Sequence, residues 1–478
     1  MINRLVILFL LLVGVSCAQK PKQEITTGSN GEASGNSNLE QVNFQMKEFQ
    51  ETVLSNGLRL ILVPDQALPR VSIGVIVKTG SADDPVNKLG LASFASTMLE
   101  NGTKNRSATK LADDFGQIAS ELGSIAGSDY TYVSSSSIST EKERLLELFA
   151  DSLLNPAFEQ KEINREKAQV LSGIEKRQDN PSHYADLLIT KENFGTHPYG
   201  HSGSGELATV KSINRKDIQD FYAKYYSPQK SILYLTGAFD NAFVEKVKKT
   251  FSVWKGNSVA TWASIPFKPT VSEGVKLFTK PELKQAQIRF AERGVKRTDP
   301  DYLALKLGNL ILGGDFVSRL NLRVRDELGL TYSIHSDLDA RMDFGSFDIS
   351  TFSRNEKVGE TIAETKKVLQ QFTEKGVLPS ELEAAKALLA GQFPAAIETT
   401  DKMVHNLLLL RIYGVSDDYL KKFISNLNAV TLEQVNKAIK DHIHPENFKI
   451  IVYADEAKVL EQLKTLGKVD VVRVSRKK

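Results

Sequence analysis

A single cysteine in 478 residues excludes an intrachain disulfide framework. Neither sign of charge is in excess: 61 basic and 58 acidic residues leave a formal net charge of +3, too little for a surface that coats nucleic acid. The C-terminal "RVSRKK" is locally basic and reads as a solvated tail. The apolar run from Leu5 to Val15 holds eleven residues and is too short to span a bilayer. No nucleophile elbow or Ser-His-Asp pattern stands out, which argues against an independent serine hydrolase. What remains, 41% apolar and 25% charged residues, is the composition of an ordinary globular protein.

The N-terminus has its own signature. Arg4, the apolar run and then Cys17 fit a secretory signal over residues 1–17, and the position of Cys17 resembles the lipobox of bacterial lipoproteins. Ser16 suits the small residue before the Cys, while Gly14 departs from the Leu usual three residues upstream of it. That resemblance implies a lipidated Cys17 and a lipid-anchored protein of the bacterial cell envelope, facing the periplasm or the surface. Residues 18–46, rich in Gly, Ser, Asn and Thr, cannot bury enough surface to fold and read as a flexible tether.

Length alone favours about three folding units, but the body of the chain repeats itself. "ISTEKERLLELFADSLLNPAF" from Ile138 and "ISTFSRNEKVGETIAETKKVL" from Ile349 both read as a strand end followed by an amphipathic helix. "INRKDIQDFYAKYYSPQKSILYLTGA" from Ile213 and "VTLEQVNKAIKDHIHPENFKIIVYAD" from Val430 both read as a capped helix, a Pro and an apolar β-branched strand. The offsets, 211 and 217 residues, indicate two copies of a unit of a little over 200 residues. We expect domains at 47–262 and 263–470. Strands followed by long helices predict an α+β class, each domain a mixed β-sheet with helices on one face. "GLRLILVPD", "RVSIGVIVKTG" and "AQIRFAERG" are the opening strands.

"GLASFASTMLENGT" begins at Gly90 and poses the functional question. As a helix it turns Leu91, Phe94, Ala95 and Met98 to a core and lines up Ser93, Ser96 and Thr97 on another face. Three small hydroxyls are poorer helix formers than the Lys and Glu of a solvated face. This segment, with "GSADDP", "THPYGHSGSGELATVKSI", "FYAKYYSP", "LILGGDFVSRL" and "VRDELGLTYSI", comes in the order found in the insulinase/pitrilysin family of zinc metallopeptidases, which the chain resembles over nearly all of its length after the tether.

The resemblance implies a fold of two homologous domains forming half of a clamshell-like chamber. In active members the helix reads H-x-x-E-H, two metal-binding His and a general-base Glu. Those positions are Ser93, Ser96 and Thr97 here. A third ligand, a Glu seven residues after the position of Glu166, falls on Gly173. Hydroxyls are poor zinc ligands and poor bases near neutrality, so no metal is expected on this chain. His197 and His201 have Pro198 and Gly200 between them and do not form a helical ligand pair, and "HIHP" at His442 and His444 aligns with the structural turn "YYSP".

The second half keeps its share of the family pattern. Arg325 and Tyr332, seven apart, match a pair that in active members holds substrate and donates to the scissile carbonyl, behind a glycine run at Gly313 and Gly314 that the resemblance makes substrate-binding. The helix should stop at Gly329 and the strand begin near Thr331. By resemblance this is the non-zinc subunit of a heterodimer, with zinc in a sister subunit and unfolded peptides as substrates. Those peptides are held by strand addition, for which "SDYTYVSSSS" is the expected strand, preceded by Ile125-Ala126 where the family has Asn-Ala. The alternative is a pseudopeptidase that binds or scaffolds peptides without an enzyme partner. For the N-terminus the expected outcome is a mature chain that opens on lipidated Cys17, with Cys17→Ser leaving the membrane fraction or remaining uncut. Mass spectrometry finding an unmodified terminus downstream of residue 17 would refute it.

Overall fold

The two runs richest in β-branched residues near the start of the body form strands as expected: β2 (Arg59–Pro64) and β3 (Arg70–Val77), which follow β1 (Gln50–Val53). The computed structural model describes residues 46–256 and 274–473. The signal segment with Cys17, the tether up to residue 45 and the expected boundary at 262/263 lie outside the described residues. Among the described residues no helix is long and apolar enough to cross a membrane.

With β4 (Gly123–Ala126), β5 (Thr131–Ile138) and β6 (Ser231–Gly237), the first half builds a mixed sheet in the order β1-β2-β6-β3-β5-β4. The second half contributes β7 (Val275–Thr279), β8 (Gln285–Arg293), β9 (Ile334–Asp339), β10 (Ser346–Arg354), β11 (Lys449–Ala454) and β12 (Val469–Arg473), in the order β12-β7-β11-β8-β10-β9. Five strands correspond one to one and with the same sense. The pairs β2·β6 and β7·β11 are parallel, and the next three pairs of each sheet are antiparallel. The outermost strands differ, since β1 runs antiparallel to β2 and β12 parallel to β7. The duplication read from two sequence matches is therefore a duplication of topology. β12 reaches Arg473, three residues past the expected end at 470.

One expectation is corrected. Helices do not sit on one face of each sheet: the central strands β3, β6 and β8 are buried almost without interruption, which requires cover on both faces. Each sheet carries its own helices on one face and a single helix from the other half on the opposite face. Helix Pro181–Phe194, capped by the Asn180 side chain, lays Ala185 and Ile189 against Phe278, Ala291, Ile451 and Tyr453 of the second sheet. Helix Thr400–Ile412, capped by Thr399, crosses the first sheet beside β6.

Each crossing helix is pinned by one carboxylate. Asp186 accepts from Arg289 Nε at 2.6 Å, and Asp401 accepts from Ser72 and Thr236 at 2.9 and 2.5 Å, with Arg70 at 3.3 Å. Arg289 is 4% exposed and also donates to the carbonyls of Ile288, Thr351 and Ser182. At the start of the second helix, the Asp65 carboxylate takes hydrogen bonds from Lys47 and Thr400, which hold its pKa down at about 2. Arg289→Ala strips donors from the buried Ile288 and Thr351 carbonyls and breaks the pair with Asp186, and should cost roughly 2–4 kcal/mol, read as a lowered denaturant midpoint at unchanged slope.

Candidate functional site

Helix Leu91–Thr97 is set by its first residues. Gly90 sits at φ +100°, a conformation that disfavours side chains, with the backbone of Gly205 3.1 Å from where a Cβ would stand. The Asp84 carboxylate accepts from the Gly90 and Ala92 amides, at 2.7 Å each, and so satisfies donors that a helix start leaves free. Leu91, Phe94, Ala95 and Met98 are buried as the periodicity requires.

The two serine hydroxyls on the other face go to different partners. Ser93 Oγ donates to the Gly203 carbonyl at 2.7 Å, Ser96 Oγ pairs with Ser124 Oγ of β4 at 2.5 Å, and the Thr97 carbonyl accepts from Asn101. Ser93 and Ser96 thus serve as bridges from the helix to a loop and to a strand. Gly173 lies exposed in helix Gln160–Glu175, with nothing within 4 Å of where a Cβ would be. Two neutral hydroxyls committed to protein partners, a threonine and a glycine make no tetrahedral set of N, S or carboxylate ligands, and the position does not fit zinc.

Sequence reasoning passed over Glu100 here. It follows Ser96 by one turn and accepts from the backbone N–H of Ser124 at 2.6 Å. Burial pushes its pKa up against that hydrogen bond, the nearby Glu166 and Glu121 charges add to the rise, and the result is about 7. The signal was a carboxylate four residues after Ser96, behind the buried Met98 and Leu99.

The strand expected to take an added peptide is also corrected. "SDYTYVSSSS" forms β5, which is hydrogen-bonded to β3 on one side and β4 on the other. The edge of this sheet is the short β4, which contains Ile125-Ala126.

In the second half, Arg325 and Tyr332 come together. The widened helical run Asn321–Glu327 carries Arg325, Gly329 at φ +58° ends it, and a turn in which Thr331 Oγ1 donates to the Ser333 carbonyl precedes β9. The strand begins at Ile334 rather than near Thr331, because that turn takes up three residues. The Arg325 guanidinium lies 4.1 Å from the Phe316 ring and 5.7 Å from the Tyr332 ring, a cationic plane between two aromatic faces. Its Nη1 is buried without a hydrogen-bond partner, and the nearest carboxylate oxygen, on Asp326, is 3.7 Å away. Tyr332 is 79% exposed. Phe316, which the sequence did not single out, is exposed too.

The glycine run has a packing role that the sequence did not reveal. A Cβ on Gly313 would come 2.8 Å from the Ser336 backbone nitrogen of β9, and one on Gly314 2.9 Å from the Asn309 amide. Gly313 is buried and only Gly314 faces solvent.

The histidines are used structurally. His197 accepts from the Tyr199 amide and faces Asp343, while His201 faces the Ser202 carbonyl. Among the described residues, Asp299, Asp301 and His442 bring three ligating atoms within 4.8 Å of one another. His442 is hydrogen-bonded to Asp301 at 2.9 Å and Asp299 accepts from the Asp301 amide, so an ion pair and a turn account for the group.

Comparison with known proteins bears on the family and the fold. The family model "Insulinase (Peptidase family M16)" matches residues 59–205, and "Peptidase M16 inactive domain" matches 212–389. The chain is 28% identical over 388 residues to the uncharacterized zinc protease YmxG of Bacillus subtilis, covering 80% of this chain and 92% of that protein. It is 26% identical over 401 residues to an uncharacterized zinc protease of Rickettsia bellii, covering 82% and 96%. Among solved structures, a peptidase M16 inactive domain from Pseudomonas fluorescens superposes with a TM-score of 0.79 at 28% identity, over 85% of this chain and 98% of that one. A protease from Helicobacter pylori shares the fold with a TM-score of 0.78 at 17% identity, over 86% and 100%.

From the donor set, the purified chain should carry no stoichiometric zinc after dialysis and should leave unfolded peptides intact. Elemental analysis showing one zinc per chain, with chelator-sensitive cleavage, would overturn this.

Proposed function

The chain belongs to the M16 (insulinase) peptidase family, and on that basis we propose that it is the non-zinc subunit of a heterodimeric metallopeptidase, lending Arg325 and Tyr332 to the active site of a zinc-bearing sister subunit. The observation that carries this reading is the contrast between the two halves. In the first half Ser93 and Ser96, at one ligand position and at the base position, are hydrogen-bonded bridges, while in the second half Arg325 and Tyr332 stand together and the Arg325 Nη1 has no hydrogen-bond partner.

The chemistry follows from what each side chain offers. The Tyr332 phenol is a neutral donor on an exposed turn, suited to a substrate carbonyl as negative charge develops on its oxygen. Arg325 presents a planar fork whose Nη1 lacks a partner, suited to a peptide carbonyl or carboxylate. The Phe316 and Tyr332 rings both lie within cation–π range of the guanidinium, so fewer of its rotamers are lost when substrate arrives. Substrates in this reading are unfolded peptides enclosed between the two subunits. Anchoring through a lipidated Cys17 would place the pair at the bacterial cell envelope.

Tyr332→Phe should lower the kcat of the assembled complex by roughly 10²–10³ with little change in KM, as loss of an oxyanion donor does. Arg325→Ala should weaken both binding and turnover. Size-exclusion chromatography checks that both variants still assemble, and the zinc-bearing subunit copurified with the native protein supplies the assay. Intact mutant complexes that turn over at the wild-type rate would leave the scaffold reading in its place.

A further inference from the structure

The β4 edge of the first sheet is where an extended peptide would add if this half still received one. Its register on β5 pairs Gly123 with Ser134, Ser124 with Val133, Ile125 with Tyr132 and Ala126 with Thr131, and the Gly127 amide continues the ladder by donating to Tyr130. In an antiparallel ladder alternate residues direct their N–H and C=O groups to the partner strand. Gly123, Ile125 and Gly127 face β5. Ser124 and Ala126 therefore point their backbone groups outward, and the strand offers an arriving peptide two amides.

One of those two is taken. Glu100 Oε1 receives the Ser124 N–H at 2.6 Å, and one turn earlier Ser96 Oγ meets Ser124 Oγ at 2.5 Å, so the same strand residue is gripped twice from the segment around the first-half helix. A hydrogen bond to a carboxylate is roughly twice as strong as the neutral bond a peptide carbonyl would make in its place. The Glu100 oxygens also stand in the path of the incoming backbone, where carbonyl oxygens would meet a carboxylate with Glu166 and Glu121 close by.

We propose that Glu100 closes this chain's own strand-addition edge, so that an extended peptide is held at the partner's edge and not here. The proposal deepens the subunit reading above and rests on it for the partner's role. The closure itself is a property of the isolated chain. It places a single peptide per heterodimer at the edge that lies next to the metal, and leaves this half as wall.

The test uses the isolated mature chain with fluorescein-labelled β-casein, an unfolded polypeptide, as probe. Binding is followed by anisotropy, and hydrogen exchange is followed on the peptic fragment containing Ser124. Glu100→Ala removes the acceptor and should raise exchange at Ser124 and tighten casein binding by roughly tenfold or more. Glu100→Gln keeps an acceptor in the same place but removes the charge, and should fall between wild type and the Ala variant on both readouts. An Ala variant that binds casein no better than wild type overturns the proposal, even if its exchange rises. A Gln variant that behaves like the Ala variant overturns it as well. Because no partner or turnover enters these measurements, their failure is separate from failure of the Arg325 and Tyr332 predictions.

Discussion

Everything in this fold depends on an exchange of cover. Each sheet is too apolar to leave one face in water, and each is sealed by a helix that belongs to the other half. The seal is apolar in the middle and is fixed in register by one carboxylate on each side, Asp186 against Arg289 and Asp401 against Ser72, Thr236 and Arg70. Arg289 is the buried charge among these groups; such a charge adds little net stability over an apolar contact but costs a great deal to leave unpaired, which favours the one register in which Asp186 and the carbonyls meet it.

With the halves held in this way, the first-half helix keeps its place through its apolar face and its cap. Leu91, Phe94, Ala95 and Met98 still bury, and Asp84 still caps the helix start. Its hydroxyls have local uses: Ser93 ties down the Gly203 loop and Ser96 ties down β4. Gly313 is kept by contact with β9, and Arg325 lies in an aromatic cleft with its Nη1 unspent.

The periodic elements were legible beforehand because their signals are local. Leu91 to Met98 announces a helix, and the β-branched runs at 59–64 and 70–77 announce strands. The two repeated segments disclosed the duplication, and with it the shared strand order. Cover from the opposite half was hidden, because Pro181–Phe194 and Thr400–Ile412 read as ordinary helices and nothing in their own residues names the sheet they cross. The edge was misplaced for a similar reason. β4 is four residues long and weakly patterned, so β5 took its role in the reading. Phe316 and Glu100 matter through what they touch, the guanidinium of Arg325 nine residues on and the amide of Ser124 24 residues on, and neither contact leaves a periodic mark.

The two pins also differ in how far they reach along the chain. Asp186 is made 103 residues before Arg289, so the second sheet emerges with its covering helix already synthesised. Ser72 waits 329 residues for Asp401. The last strand of the first sheet, β6, ends at Gly237 and the covering helix ends at Ile412, so at a synthesis rate of about 5–20 residues per second that sheet spends roughly 9–35 seconds with one face bare. Birth order therefore makes the amino-terminal half the dependent one during biogenesis. A chain interrupted anywhere before residue 400 leaves that sheet open to chaperones, proteases and its own neighbours.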